Sequence, residues 1–243
     1  MLTSRVSFMM YFLVLLFNTS FANINNLHDN FDIILKTYVL EGQVDYINLK
    51  ENRIKLDNYL LKLSDIEKDD FHNWSEEERL AYLINLYNAS TLQLIINHYP
   101  VKSIKDIGTF FRGPWKQKFI YLFGEKISLD NLEHDIIRKE YNEARIHMAL
   151  VCAAKGCPIL RSEAYTGTKL NSQLIEQVKL FLSSSNGMLI ERNSKRVYLS
   201  PIFKWYAKDF PSVIEFVEEY SYENLNDFKV YWLDYDWDLN KKE

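Results

Sequence analysis

The side chains able to do chemistry in this sequence gather in three segments: Asn85 and Asn88; Glu133, His134 and Arg138; and Arg145, His147, Cys152 and Cys157. These types can assemble a thiol-dependent hydrolase or acyl transferase. A Cys152 thiolate would attack a carbonyl, His134 or His147 would hold the proton, and Glu133 or an asparagine would orient the imidazole. Asn85 or Asn88 could then donate to the oxyanion. The same residues can instead build a non-catalytic binding or scaffold domain. In that reading Cys152 and Cys157 are disulfide-bonded, Glu133 pairs with Arg138 or Arg145, Asn88 lines a cleft, and the histidines are satisfied core residues. A metal-binding protein using His134, His147 and Glu133 is the third reading, and its geometry is poor: neighbours on a regular helix diverge by about 100°. No metal or other cofactor is expected.

The cysteines enclose four residues in the run Val151-Cys152-Ala153-Ala154-Lys155-Gly156-Cys157-Pro158. In an oxidising compartment this spacing favours a local disulfide, with Gly156 giving backbone freedom to the tight loop. The spacing leaves a reactive thiol open as well. Cys152 is the better nucleophile of the two, because it sits at the end of an expected strand where a side chain can be held rigidly at a cleft.

A basic and aromatic stretch from Val101 to Lys118 adds Arg112 and Trp115 as binding candidates, with Lys102, Lys105, Lys116 and Lys118 beside Phe110 and Phe111. Charge and ring stacking together can grip an anionic or sugar-like ligand.

The elements that must position these residues follow from periodicity. Helices are expected near Asn26 to Val39 and Tyr46 to Leu63. A longer one starts at Ser75, where Ser75-Glu76-Glu77-Glu78 forms a capping box, and stops near His98 before Pro100. Its apolar residues wrap most of its circumference, which places it centrally. A hairpin around Gly124, a short helix from Leu129 to Glu140, a buried strand from Arg145 to Val151, a helix from Leu170 to Leu182, a hairpin around Asn193-Ser194, a helix from Ser212 to Tyr220 and a strand from Phe228 to Leu233 complete the pattern. This is an α+β arrangement: helices packed on a small, mostly antiparallel sheet in a single domain.

With 47% hydrophobic and 26% charged residues, the 243-residue chain has the composition of a globular protein. Residues 1–22 read as a secretory signal peptide, with Arg5, an apolar run from Val6 to Phe17, and Ser20-Phe21-Ala22 before the cut. Residues 23–243 would form the globular domain, in the periplasm or secreted, with no integral membrane segment after cleavage. Losing Arg5 takes the formal net charge from −4 to −5, which offers nucleic acid no general attraction.

Four segments carry a resemblance. Ala81-Tyr82-Leu83-Ile84-Asn85-Leu86-Tyr87-Asn88-Ala89, Ser128-Leu129-Asp130-Asn131-Leu132-Glu133-His134, Arg145-Ile146-His147 with Cys152 to Pro158, and Phe203-Lys204-Trp205-Tyr206-Ala207-Lys208-Asp209-Phe210 are similar to signatures of the domain of unknown function 547 family. The late Tyr235-Asp236-Trp237-Asp238-Leu239-Asn240 fits the same pattern, so the resemblance spans roughly residues 70 to 240. It implies a shared fold and a shared polar cluster, and bacterial members are commonly exported. It implies no reaction. The expected partner is an envelope polymer, peptide or protein.

Overall fold

The computed structural model describes residues 26–109 and 113–242. The expected signal peptide, together with Phe110, Phe111 and Arg112, lies outside the described residues.

Helix α1 (Asp29–Tyr38) buries Phe31, Ile34 and Leu35 on one stripe and runs into a tight hairpin of β1 (Val39–Leu40) and β2 (Gln43–Val44). The segment expected as one helix from Tyr46 to Leu63 is two, α2 (Tyr46–Glu51) and α3 (Ile54–Ser64), with a break at Asn52-Arg53. After the short α4 (Lys68–His72) comes α5 (Glu76–His98). The Ser75 hydroxyl accepts from the Glu78 amide, and the Glu78 carboxylate accepts from the Ser75 amide. Leu80 to Leu92 is buried without interruption, so α5 is the central post of the fold, as its wrapped apolar pattern demands.

Hairpin β3 (Ile120–Leu122) and β4 (Glu125–Ile127) leads into a helix whose first part, Asn131–Ile137, is π-wound and whose last turn, α6 (Arg138–Glu140), is α-helical. Helix α7 (Leu170–Ser183) packs on α9 (Val213–Ser221), with β5 (Met188–Glu191), β6 (Arg196–Leu199), α8 (Pro201–Trp205) and β7 (Lys229–Trp232) completing this side. The α+β expectation holds. Among the described residues the strands are spread over three small sheets rather than gathered in one, and all pair antiparallel except β6 with β7.

Arg145–Val151 is not a strand. Residues Ala144–Met148 form a 3-10 helix, followed by irregular chain that is nonetheless buried. A buried segment outside a ladder still needs partners for its peptide groups. Amide side chains from the two long helices supply them. Asn88 donates to Ala149 O and accepts from Val151 N–H, both at 2.9 Å. Asn85 does the same for Tyr165, at 2.8 and 3.0 Å. Gln177 donates to Met148 O and Ile159 O, and Gln173 serves Ala164 O and Thr166 N–H. Each asparagine thus acts as a one-residue surrogate strand.

Candidate functional site: an aromatic cleft around a disulfide

Cys152 and Cys157 form a disulfide, with Cα atoms 6.4 Å apart, inside the usual range for a bridge. The positive φ that closes the loop falls at Ala153 (61°), not at Gly156. Gly156 serves another purpose: a Cβ there would lie 2.9 Å from the Asp236 nitrogen and 3.0 Å from its oxygen. That close approach lets the C-terminal segment clamp the loop, with Gly156 N–H donating to Asp236 O and Lys155 N–H to Asp238 O, both at 2.8 Å. The clamp carries Tyr235 onto the disulfide, its hydroxyl 3.2 Å from Cys152 Sγ and 3.1 Å from Cys157 Sγ.

The π-wound segment changes the argument about adjacent residues on a helix. Its wider winding turns less per residue than an α-helix, and π-turns recur at functional sites. Glu133 and His134 both line the cleft, with His134 Nδ1 3.9 Å from Glu133 Oε1. Glu133 is buried, and neither Arg138 nor Arg145 is its hydrogen-bond partner. Tyr206 donates to one carboxylate oxygen at 2.7 Å and Tyr87 to the other at 3.1 Å. Burial, reinforced by the carboxylate charge, pushes both phenols well above their ordinary range, so they remain donors.

Behind Glu133 lies a second network. Arg138 makes a two-pronged contact with Asp209, Nε to Oδ2 at 2.6 Å and Nη2 to Oδ1 at 2.8 Å. Its third nitrogen, Nη1, donates to His134 Nδ1 at 2.8 Å, which leaves the proton of a neutral His134 on Nε2, 3.8 Å from Asp130. His147 Nε2 donates to Asp209 Oδ2 at 2.7 Å while its ring stacks on Tyr206, centroids 4.0 Å apart. Burial pulls the His147 pKa down to about 4 against the opposing pull of Asp209, so the imidazole is neutral at pH 7. The Arg138 guanidinium in turn holds the Asp209 carboxyl below its ordinary value.

The cleft itself encloses about 490 Å³. One wall is a contiguous aromatic cluster: Trp205 stacks on Trp237 at 5.9 Å, Tyr235 sits 4.6 Å from Trp237 and 4.9 Å from Trp205, and Trp115 meets Trp237 edge-on at 6.1 Å. Trp205 is 50% exposed despite this packing. Asp130, Glu133, His134 and Lys116 provide the polar positions, and the disulfide closes one side.

Of the residues singled out in the sequence, the structure brings Trp115, Glu133, His134, His147, Cys152 and Cys157 to this cleft. Arg138 stands behind it. Asn85 and Asn88 hold backbone and do not line it, and Arg145 pairs with Glu143 and Asn171 elsewhere. Among the described residues, no group of three or more His, Cys, Asp or Glu is gathered as metal ligands. Tyr87, Trp205, Tyr206, Asp209, Tyr235 and Trp237 were not singled out for chemistry, although all belong to the quoted signature segments.

Fold and site together define an α+β protein with an aromatic, carboxylate-bearing cleft walled by a disulfide. Residues 71–182 match the model of the family described as "Protein of unknown function, DUF547". The match includes Glu133, His134, His147 and both cysteines, while Trp205, Tyr206, Asp209, Tyr235 and Trp237 lie beyond it. No curated protein and no solved structure matches the chain.

Proposed function

We propose that this chain is an exported, non-catalytic binding domain of the cell envelope whose cleft takes a glycan segment. The observation that carries the reading is a division of labour. The candidate acid, base and nucleophile groups are bonded to protein partners: Glu133 to two phenols, His147 Nε2 to Asp209, His134 Nδ1 to Arg138, and Cys152 to Cys157. The aromatic lining of the same cleft is less committed: Trp205 is half exposed, although Trp237 carries Lys105 over its ring and stacks on Trp205. Sugar rings bury their C–H faces on such rings and turn hydroxyls toward carboxylates, which suits a cleft lined by half-exposed Trp205 together with Glu133 and Asp130. A disulfide at the site also suits an oxidising compartment. Acyl transfer from Cys152 gains no support, since a disulfide sulfur is not a thiolate and neither imidazole is placed as its partner.

Titration of the oxidised protein with soluble peptidoglycan fragments, followed by tryptophan fluorescence, tests this. Binding should be seen, and Trp205→Ala should weaken it about tenfold, the equivalent of about 1.4 kcal/mol of stacking. Because Trp205 is half exposed, its removal should leave folding intact. Unchanged affinity in the variant, or no binding by the native protein, would contradict the reading.

A further inference from the structure

The two sulfurs of the cleft disulfide are not equivalent. Both line the cleft, but Cys152 is partly exposed whereas Cys157 is buried, 5% exposed. Two hydrogen-bond donors reach the buried one, the Cys152 backbone N–H and the Tyr235 hydroxyl, each 3.1 Å from Cys157 Sγ; the hydroxyl is also 3.2 Å from Cys152 Sγ, so the backbone N–H is the donor that distinguishes the two sulfurs. A disulfide sulfur is a weak acceptor and gains little from such donors, while a thiolate gains a charge-assisted hydrogen bond from each. Burial, with the Glu133 charge adding to it, holds the Tyr235 phenol above its ordinary range, so it stays protonated and able to donate. The loop is also tied to the C-terminal segment by contacts that do not involve the sulfur–sulfur bond, Lys155 N–H to Asp238 O, Gly156 N–H to Asp236 O and Asn240 N–H to Ala153 O.

From this asymmetry we infer that the cleft supports thiol–disulfide exchange, with Cys152 as the attacked sulfur and Cys157 as the leaving group. The co-reactant is a low-molecular-weight or peptide thiol that enters the cleft. Its thiol loses a proton to solvent, and the thiolate forms a bond to Cys152 Sγ. The Cys152–Cys157 bond breaks, its electron pair goes to Cys157 Sγ, and the Tyr235 hydroxyl and Cys152 N–H hold the resulting thiolate. The product is a mixed disulfide on Cys152. The reverse attack by Cys157 on Cys152 expels the thiol and closes the cycle, so no other oxidant or reductant is required. This activity goes beyond glycan binding and does not depend on it.

The test mixes folded, oxidised protein with glutathione, quenches samples with acid, alkylates free thiols after denaturation and maps both cysteines by mass spectrometry. Glutathione should appear on Cys152 and the alkyl label on Cys157, while the circular dichroism of the protein stays native. Tyr235→Phe should slow formation of the adduct about tenfold, since a hydrogen bond to a charged group contributes about 1.4 kcal/mol or more. Glutathione on Cys157, an adduct formed only when denaturant unfolds the chain, or an unchanged rate in folded Tyr235→Phe would overturn the assignment. The mapping in the native protein decides the question of the attacked sulfur even if that variant does not fold. The glycan titration of the oxidised protein is read separately, so either inference can fail without the other.

Discussion

Between about pH 7 and pH 5 the folded protein is expected to lose about 4 kcal/mol of stability through two histidines. Burial pulls His147 and His28 each from an ordinary value of 6.5 down to about 4. His28 packs against Tyr59, their Nδ1 and hydroxyl 2.7 Å apart, with Lys62 adding a smaller repulsion. A histidine whose folded pKa is depressed binds its proton more readily when unfolded. Its contribution is therefore complete above about pH 6.5 and is withdrawn as pH falls toward 4. At pH 5 each such group has withdrawn about 2 kcal/mol. Urea unfolding across this range should show the midpoint falling with pH, and His147→Gln should remove about half of the slope. A flat profile would show that the two imidazoles accept protons without unfolding the structure. Asp209, whose carboxyl is held low by Arg138, weakens the fold only at lower pH still, as pH falls through its depressed value.

The second large effect belongs to Asn88. Asn88→Ala should cost about 3 kcal/mol, because the Ala149 carbonyl and the Val151 amide both lose a buried partner, at about 1–3 kcal/mol for each. Asn85→Ala should behave alike through Tyr165. Neither substitution touches the cleft lining, so a variant that still folds should bind ligand with native affinity. The check is chemical denaturation of each variant. A loss below about 1 kcal/mol would mean that water or a backbone shift replaces the amide.

These asparagines also explain which parts of the fold were legible in the sequence. Local signals were read directly: the Ser75 capping box, the apolar stripe of α7, and the hairpins around Gly124 and Asn193 all appear where expected. The run Ile146-His147-Met148-Ala149-Leu150-Val151 has the apolar character of a buried strand, and it is buried. What local pattern could not show is that its hydrogen-bond partners are amide side chains, Asn88 about sixty residues earlier and Gln177 from the following helix, which removes the need for a neighbouring strand. The break between α2 and α3 was missed for a related reason: tertiary packing, not propensity, fixes where each apolar stripe faces.

The site was legible in its chemistry and illegible in its pairing. Glu133, His134, His147 and the cysteines do converge on the cleft. Glu133 and Arg138, expected as partners, instead meet Tyr206 and Asp209 from a segment about seventy residues later. Tyr206 and Asp209 stand three apart in the quoted Phe203–Phe210 run, and Tyr235 and Trp237 two apart in the C-terminal one. That clustering of polar tips and aromatic rings was the available signal. Without knowledge of the π-wound segment, nothing local indicated that Glu133 and His134 could face the same space.

A closed Cys152–Cys157 disulfide forms part of the cleft wall in the resting protein. The most direct measurement is intact mass after alkylation of the protein from its native compartment, with and without prior reduction. Two labels added only after reduction are the predicted result, and would leave the cleft as a binding site without a resident thiolate. Labelling of Cys152 without reduction, fast at a pH well below the ordinary thiol value of about 8.5, would contradict the account and point to an activated nucleophile.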